Sequence, residues 1–101
     1  MADTNYALSS GAVPSGVAVI RVSGPEVRTV TEALCGKTSA PRKTMLSKLR
    51  DPASQEIIDE ALVLFFEGPA SFTGEDVVEF QCHGGRAVVA AMLRILAEFP
   101  K

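Results

Sequence analysis

Three polar side chains with the chemistry to bind a small molecule alternate along one short stretch of this chain. Glu79, Gln81 and His83 supply a carboxylate, an amide and an imidazole at every second position. Because alternate residues of a β-strand face the same side, a strand over Val77–Cys82 would present these groups together. Gly84–Gly85 follow at once, and glycines let backbone approach a ligand closely. The pattern indicates either a small-molecule site or the solvated face of an edge strand.

The other face of this predicted strand is apolar. Val78, Phe80 and Cys82 alternate with the polar residues and are typical of a strand face that packs on a hydrophobic core. Cys82 and His83 are neighbours, so their side chains would point to opposite faces and could not chelate one metal ion. We therefore expect no metal site here. A turn at Thr73–Gly74 would lead into the strand.

The chain lacks the motifs of the common catalytic sites. His83 is its only histidine, so a hydrolase with a Ser–His or Cys–His pair would have to use it. The H-G-G run is similar to the oxyanion-hole glycines of esterases, but no G-x-S-x-G nucleophile motif accompanies it. Phosphate-loop and dinucleotide-binding glycine motifs are also missing. We assign no catalytic residue and keep a hydrolase only as a remote alternative.

A single charged residue interrupts an otherwise apolar strand near the N-terminus. The alternation over Val17–Val22 places Arg21 on the same face as Val17 and Val19. Its guanidinium either reaches solvent past the end of the strand or lies half-buried against an acidic or carbonyl group. We favour the second interpretation because the strand has no other polar residue.

Length and composition predict one small soluble domain. The chain has 101 residues, of which 47% are apolar and 22% charged, and a net charge of −2. The basic stretch Lys37–Arg50 could contact a phosphate backbone, but we favour a solvated loop and strand. Two cysteines are too few for a disulfide framework, and we see no signal peptide or membrane-spanning run. We expect a cytoplasmic protein with no membrane contact.

Hydrophobic periodicity predicts the order β-β-α-β-β-β-α, an α+β fold with two helices on a mixed sheet. A capping box at Ser23–Glu26 should begin the first helix, and Gly36 should end it. Ala61–Phe66 is apolar on both faces, as in a strand that is covered on both sides. The predicted elements are strands over residues 6–10, 17–22, 45–49, 57–66 and 77–82, with a turn at 51–54 and a last helix over 86–99.

The last predicted helix, Arg86–Phe99, has an unusually thin polar stripe. Its charged residues are Arg86, Arg94 and Glu98, which form one i, i+4 line together with Ala90. Such a helix is expected to be buried on most of its circumference. A domain of this size hardly supplies that much cover, so the pattern predicts a second copy of the chain or further chain packed against it.

Motifs spread over nearly the whole chain carry a more specific signal. Gly16–Pro25 reads G-V-A-V-I-R-V-S-G-P, Asp59–Asp76 contains A-L-V-L-F-F and ends in S-F-T-G-E-D, and Glu79–Gly85 ends in H-G-G. Together they resemble the N-terminal domain of the tRNA-modification GTPase MnmE, also called TrmE. Glu67 stands where many members of that family have proline, and Gln81–Cys82 is a variable position in the motif.

The resemblance implies a folate site. In that family this domain resembles one half of the aminomethyltransferase folate-binding fold and binds a 5-formyltetrahydrofolate-type one-carbon carrier between two copies in a homodimer. Arg21 and Glu79 match folate-contacting positions of the family. A pterin ring presents a ring N–H beside an exocyclic amine, and a carboxylate such as Glu79 can accept both.

The resemblance also implies a longer parent protein. Residues 1–101 would be the single N-terminal tetrahydrofolate-binding and dimerisation domain, a fragment without the helical domain and the potassium-dependent, magnesium- and GTP-binding G domain. With the flavoprotein MnmG, the parent GTPase modifies the wobble uridine of certain tRNAs. This chain alone is expected to be non-catalytic. The alternative is a purely structural dimerisation module without ligand binding.

Overall fold

The computed structural model of the chain describes residues 4–8, 15–37, 42–68 and 75–99, and it confirms the predicted element order and the α+β class. The predicted Thr73–Gly74 turn and the ends of several loops lie outside the described residues. The described elements are β1 (Asn5–Leu8), β2 (Ser15–Ser23), α1 (Val27–Cys35), β3 (Thr44–Arg50), β4 (Ile57–Phe66), β5 (Val77–Gly84) and α2 (Arg86–Ala97).

The five strands form one sheet in the order β1-β2-β5-β4-β3. Every pair of neighbouring strands is antiparallel, so the expectation of a mixed sheet is wrong. Strands joined by a tight turn must run in opposite directions, and Asp51–Ser54 joins β3 to β4 in this way. β5 then enters between β4 and β2 and runs opposite to both. The relative direction of each strand depends on which strands pair with it, and the hydrophobic periodicity of the sequence does not reveal those partners.

β5 is the middle strand of this sheet, flanked by β2 on one side and β4 on the other. The interpretation of its polar residues as the face of an edge strand is therefore wrong. Val78, Phe80 and Cys82 face the hydrophobic core, as predicted from the alternation. β5 also extends two residues further than predicted, to Gly84, because β2 continues to pair with it there.

Both helices cover the same face of the sheet. The residues of α1 at the i, i+3, i+4 and i+7 spacing of one helix face, Val27, Val30, Thr31 and Leu34, are all buried. Met92, Ile95 and Leu96 of α2 join them in one cluster with the inward residues of the strands. The strand residues of this cluster are Ile20, Val22, Leu49, Ala61, Val63, Phe65, Val78, Phe80 and Cys82.

The opposite side of the sheet, which we call the open face, is not covered by either helix of the described residues. Ala61, Val63 and Phe65 of β4 lie in the core, but Leu62 between them is exposed. The prediction that β4 is covered on both sides is therefore not met, because two helices on one face leave the other face free. The open face consists of Asn5 and Ala7 of β1, Val17, Val19 and Arg21 of β2, Val77, Glu79, Gln81 and His83 of β5, Glu60, Leu62, Leu64 and Phe66 of β4, and Thr44, Leu46 and Lys48 of β3.

The ends of α1 show one correct and one wrong prediction. Gly36 ends the helix with a φ of 81°, a left-handed conformation that favours glycine. The capping box does not form, because Ser23 is the last residue of β2 and pairs with Val77 there. The N-cap is Glu26, whose backbone N–H donates to the Thr4 hydroxyl at 2.9 Å.

α2 is less buried than its thin polar stripe indicated. Val89, Met92, Ile95 and Leu96 form one inward stripe, whereas the exposed side carries alanines beside its charged residues. Alanine exposes little apolar area, so α2 does not need a partner on that side. Neither α2 nor α1 is long and apolar enough to cross a membrane, and they are the helices that the described residues form.

We expect the two faces of β2 to respond differently to the same substitution. Val22 lies in the core with 1% of its surface exposed, and Val17 lies on the open face with 55% exposed. Val22→Ala should lower the free energy of unfolding by about 2 kcal/mol, since it removes buried methyl groups and leaves a cavity. Val17→Ala should change it by less than about 0.5 kcal/mol. Urea unfolding of both variants tests this, and equal losses would contradict the assignment of faces.

Candidate functional site

The polar residues of β5 lie together on the open face, as the alternation predicted. Glu79, Gln81 and His83 have their register partners on β2 in Arg21, Val19 and Val17. Gln81 and Glu79 also lie opposite Leu62 and Leu64 of β4. The line of polar groups therefore runs along the centre of the sheet, with apolar side chains on both sides.

Arg21 and Glu79, the two predicted site residues, form an ion pair. They are direct register partners, and Arg21 donates from Nη2 at 2.5 Å and from Nε at 3.2 Å. The side chain of Glu79 is 13% exposed and that of Arg21 is 36% exposed. The interpretation of Arg21 as a half-buried partner of an acidic group is confirmed.

The geometry of this pair leaves one carboxylate oxygen available. Both bonds from Arg21 end on Oε1 of Glu79, and none of the other residues that the structure describes donates to Oε2. A carboxylate can accept about four hydrogen bonds, so Glu79 retains acceptor capacity toward the open face. The guanidinium meanwhile offsets the charge of the mostly buried carboxylate.

A shallow depression of about 320 Å³, which we call the trough, lies on the open face at Gln81 and His83. This volume is at the small end of the range for ligand sites. Its floor and walls combine large apolar side chains with a few polar groups. The trough is lined by Val17, Leu46, Glu60, Leu62, Gln81 and His83, among others.

His83 forms a second acid–base pair that sequence reasoning missed. Asp59 of β4 accepts the backbone N–H of His83 on Oδ2 at 2.8 Å and contacts ring Nδ1 through Oδ1 at 2.7 Å. The pairing of β4 with β5 ends at Leu62 and Gln81, so this carboxylate takes the place of the next ladder bond. No local pattern in the sequence marks Asp59 as the partner, since the contact depends on where the two strands separate.

The two halves of this pair differ strongly in exposure. The Asp59 side chain is 10% exposed, whereas that of His83 is 75% exposed. Burial alone would raise the pKa of Asp59, but hydrogen bonds from the backbone and ring of His83 and from the Glu60 amide outweigh it. The pKa of Asp59 therefore lies below its usual value. Asp59 stays ionised at neutral pH and orients the imidazole.

Cys82 cannot act with His83 as a nucleophile. Its thiol is buried on the core face, where it donates to the Phe80 carbonyl oxygen at 3.7 Å. Burial, followed by the nearby charges of Asp59 and Cys35, raises the pKa of Cys82 to about 12. The thiol is therefore protonated and poorly nucleophilic at neutral pH. Across residues 4–8, 15–37, 42–68 and 75–99, no group of three His, Cys, Asp or Glu side chains could hold a metal ion.

Asp76 has a structural role at the start of β5. Its carboxylate accepts the Gly68 amide at 3.0 Å, and its carbonyl accepts the Gly24 amide at 3.1 Å. These bonds hold together the chain segments at one end of the central strands. Arg28 lies nearby, paired with Glu67 at 2.7 Å and stacked over the Phe65 ring at 4.6 Å.

Comparison with known proteins settles the family. Residues 4–99 match the family described as "GTP-binding protein TrmE N-terminus". The chain belongs to this family. It is 54% identical over 99 residues to the tRNA modification GTPase MnmE of Parvibaculum lavamentivorans, which covers 97% of this chain and 23% of that protein. The MnmE proteins of Chelativorans sp. and Brucella canis are 55% and 53% identical over 98 residues each, again 97% of this chain and 22% of theirs.

The resemblance inferred from the S-F-T-G-E-D and H-G-G motifs is thus confirmed. The chain spans less than a quarter of the length of the curated relatives that it matches. Membership of this family does not by itself say what binds at the trough.

The lowered pKa of Asp59 predicts a pH-dependent contribution to stability. A carboxylate whose folded-state pKa is depressed stabilises the fold above its unfolded value of about 4 and loses this effect as pH falls through the folded pKa. Asp59→Asn should therefore lower the free energy of unfolding by about 1 kcal/mol at neutral pH, with a smaller difference near pH 3. Glu60→Gln, the exposed neighbour, is the matched control. Urea unfolding at both pH values tests this; a difference that does not change with pH would contradict it.

Proposed function

We propose that this chain binds a reduced folate of the 5-formyltetrahydrofolate type through Glu79 and Arg21 on the open face. The observation that carries the proposal is the mostly buried Glu79 carboxylate. One of its oxygens accepts hydrogen bonds from Arg21, and the other accepts none from the described residues. Membership of the TrmE N-terminal family supports the choice of folate over other small molecules.

The pterin ring suits this carboxylate. It offers a ring N–H and an exocyclic amine side by side, and these parallel donors fit a carboxylate in two-point contact. The rigid central strand holds Glu79 in place, and Arg21 is then positioned to contact the ring carbonyl or another acceptor of the ligand. Apolar side chains beside the ion pair, Val19 and Leu64, would cover the faces of a flat ring.

A second candidate is a structural dimerisation module without a ligand. The Arg21–Glu79 pair already neutralises its own charges, so the site does not require a ligand to be stable. The open face also exposes Val17, Leu46 and Leu62, which are typical of a surface that associates. The two candidates are compatible if two copies meet at this face, and folate titration separates them.

We further propose that the chain is the N-terminal, homodimerising part of a longer cytoplasmic protein. That protein would bind GTP, magnesium and potassium in a separate G domain and would modify the wobble uridine of tRNA together with the flavoprotein MnmG. The support is that the relatives are named tRNA modification GTPases and that this chain spans a small fraction of their length. The described residues would contribute the folate site and would not carry out catalysis on their own.

The folate proposal predicts a large effect of Glu79→Gln on affinity. The amide keeps the shape of the side chain but loses the charge and one acceptor, leaving a pterin donor unpaired. An unsatisfied buried donor costs about 1–3 kcal/mol, so affinity should fall roughly five- to a hundred-and-fifty-fold. Glu79→Ala and Arg21→Ala should also weaken binding. Calorimetric titration of 5-formyltetrahydrofolate is the measurement.

Glu67→Gln is the matched control for this experiment. It applies the same change to the other Arg–Glu pair, Arg28–Glu67, which is exposed and away from the trough. Binding should be unchanged in this variant. Saturable binding that is equally strong in wild type and Glu79→Gln would exclude the Glu79 site, and lack of any binding would leave the structural dimerisation module as the function.

Self-association through the open face gives a separate prediction. Leu46→Lys should shift the chain toward monomer, because it places a charge within the exposed apolar surface of the sheet. Ile57→Lys is the control: Ile57 is also exposed but lies at another depression, beside α2. Sedimentation velocity at tens of micromolar, roughly the range in which weak dimers dissociate, tests this. A wild-type monomer under these conditions would contradict dimerisation.

A further inference from the structure

The Asp59–His83 pair presents one nitrogen of the imidazole to the trough. Asp59 occupies Nδ1 and also holds the His83 backbone, so both the ring plane and the direction of Nε2 are set. None of the residues that the structure describes bonds to Nε2, and the ring is largely exposed at the rim of the trough. Such an arrangement positions Nε2 for a group from outside the chain.

Gln81 lies between this imidazole and the Arg21–Glu79 pair on the open face. Glu79 and His83 are four positions apart on β5, which corresponds to about 13 Å at the rise of an antiparallel strand. The register partners of Gln81, which lie level with it between the two ends, are Val19 of β2 and Leu62 of β4. The order along the face is therefore an acid–guanidinium pair, an apolar middle and an acid-held imidazole.

We propose that His83, held by Asp59, binds the glutamate carboxylate of the reduced folate whose pterin ring lies at Glu79. This inference rests on the proposed folate site and adds the orientation of the ligand within it. A tetrahydrofolate has the same order of groups: a pterin that offers paired donors, an apolar aminobenzoyl ring and an anionic glutamate tail. Val19 and Leu62, which flank Gln81, would pack on the aminobenzoyl ring, and His83 would contact the tail.

The protonation of the imidazole decides whether it can bind the tail. With Nδ1–H donated to Asp59, a neutral ring has only a lone pair at Nε2 and cannot donate to a carboxylate. The protonated ring donates from both nitrogens and makes a charge-assisted bond to the tail. Tail binding therefore takes up one proton, which goes to Nε2, and so it weakens as pH rises.

The charges around His83 also make binding of the anionic tail depend on a protonated ring. When the ring is neutral, the carboxylates of Asp59 and Glu60 make this end of the trough negative and repel an anionic tail. Val17, the register partner on β2, carries no charge. The other charged groups on the elements around His83 are Lys48 of β3, which lies opposite Glu60, the Arg21–Glu79 pair further along the open face, and the exposed Arg86 on α2.

A comparison of two ligands isolates the tail. 5-Formyltetrahydrofolate and 5-formyltetrahydropteroate, which lacks the glutamate, are titrated into the 101-residue chain near pH 6 and near pH 8. The wild type should prefer the glutamate-bearing ligand about tenfold near pH 6 and less than about twofold near pH 8. His83→Asn should remove this preference at both pH values, because its amide reaches Asp59 but has no atom at the position of Nε2.

Glu56→Gln, an exposed change on the β3–β4 turn, is the control and should retain the preference and its pH dependence. Because the chain has a single histidine, its ring signals in a nuclear magnetic resonance spectrum need no assignment and report on the wild type directly. They should shift on saturation with the full ligand and remain nearly unchanged with the pteroate.

The outcomes separate this inference from the proposed function. If both ligands bind, and binding is lost in Glu79→Gln but unchanged in His83→Asn, the role of His83 is overturned and the folate site remains supported. A preference for the full ligand that is equal at the two pH values would likewise overturn it. If neither ligand binds, the folate site and the orientation within it are both wrong.

Discussion

The pairing of β5 on both of its sides is the constraint on which the rest of the structure depends. β2 and β4 satisfy its backbone groups, and Val78 and Phe80 must be buried beneath the two helices. Because side chains alternate across the pleat, burying these residues forces Glu79 and His83 to emerge on the open face. A slip of one residue would exchange the two faces, so the register that builds the core also builds the site.

The charge of a carboxylate in the middle of a sheet needs a partner of opposite sign, and Arg21 on the neighbouring strand pairs with Glu79. A partly buried ion pair is a weak source of stability, because the loss of hydration offsets much of the attraction. A pair of apolar residues would pack as well at these two positions, because Val19 and Val77 are their neighbours on the same face. Stability alone therefore does not account for a charge pair on these otherwise apolar strands.

The two acid–base pairs of β5, Arg21–Glu79 and Asp59–His83, arise in different ways. Arg21 and Glu79 are register partners, so the regular ladder places them together. Asp59 and His83 meet where the ladder between β4 and β5 has ended, and the carboxylate binds an amide that the departing strand no longer reaches. Regular pairing therefore places the partly buried pair at Glu79, and the end of the pairing places the exposed imidazole of His83.

Local patterns in the sequence determined most of the elements of this protein. The alternation over β5, the inward stripe of α1, the Asp51–Ser54 turn and the left-handed Gly36 each depend on residues that are neighbours in the chain. Only the tertiary structure decided the central place of β5, its antiparallel neighbours and the partners of Arg21 and His83. Those contacts join residues 58 and 24 positions apart, and strand order and register, which local periodicity does not encode, bring them within hydrogen-bonding distance.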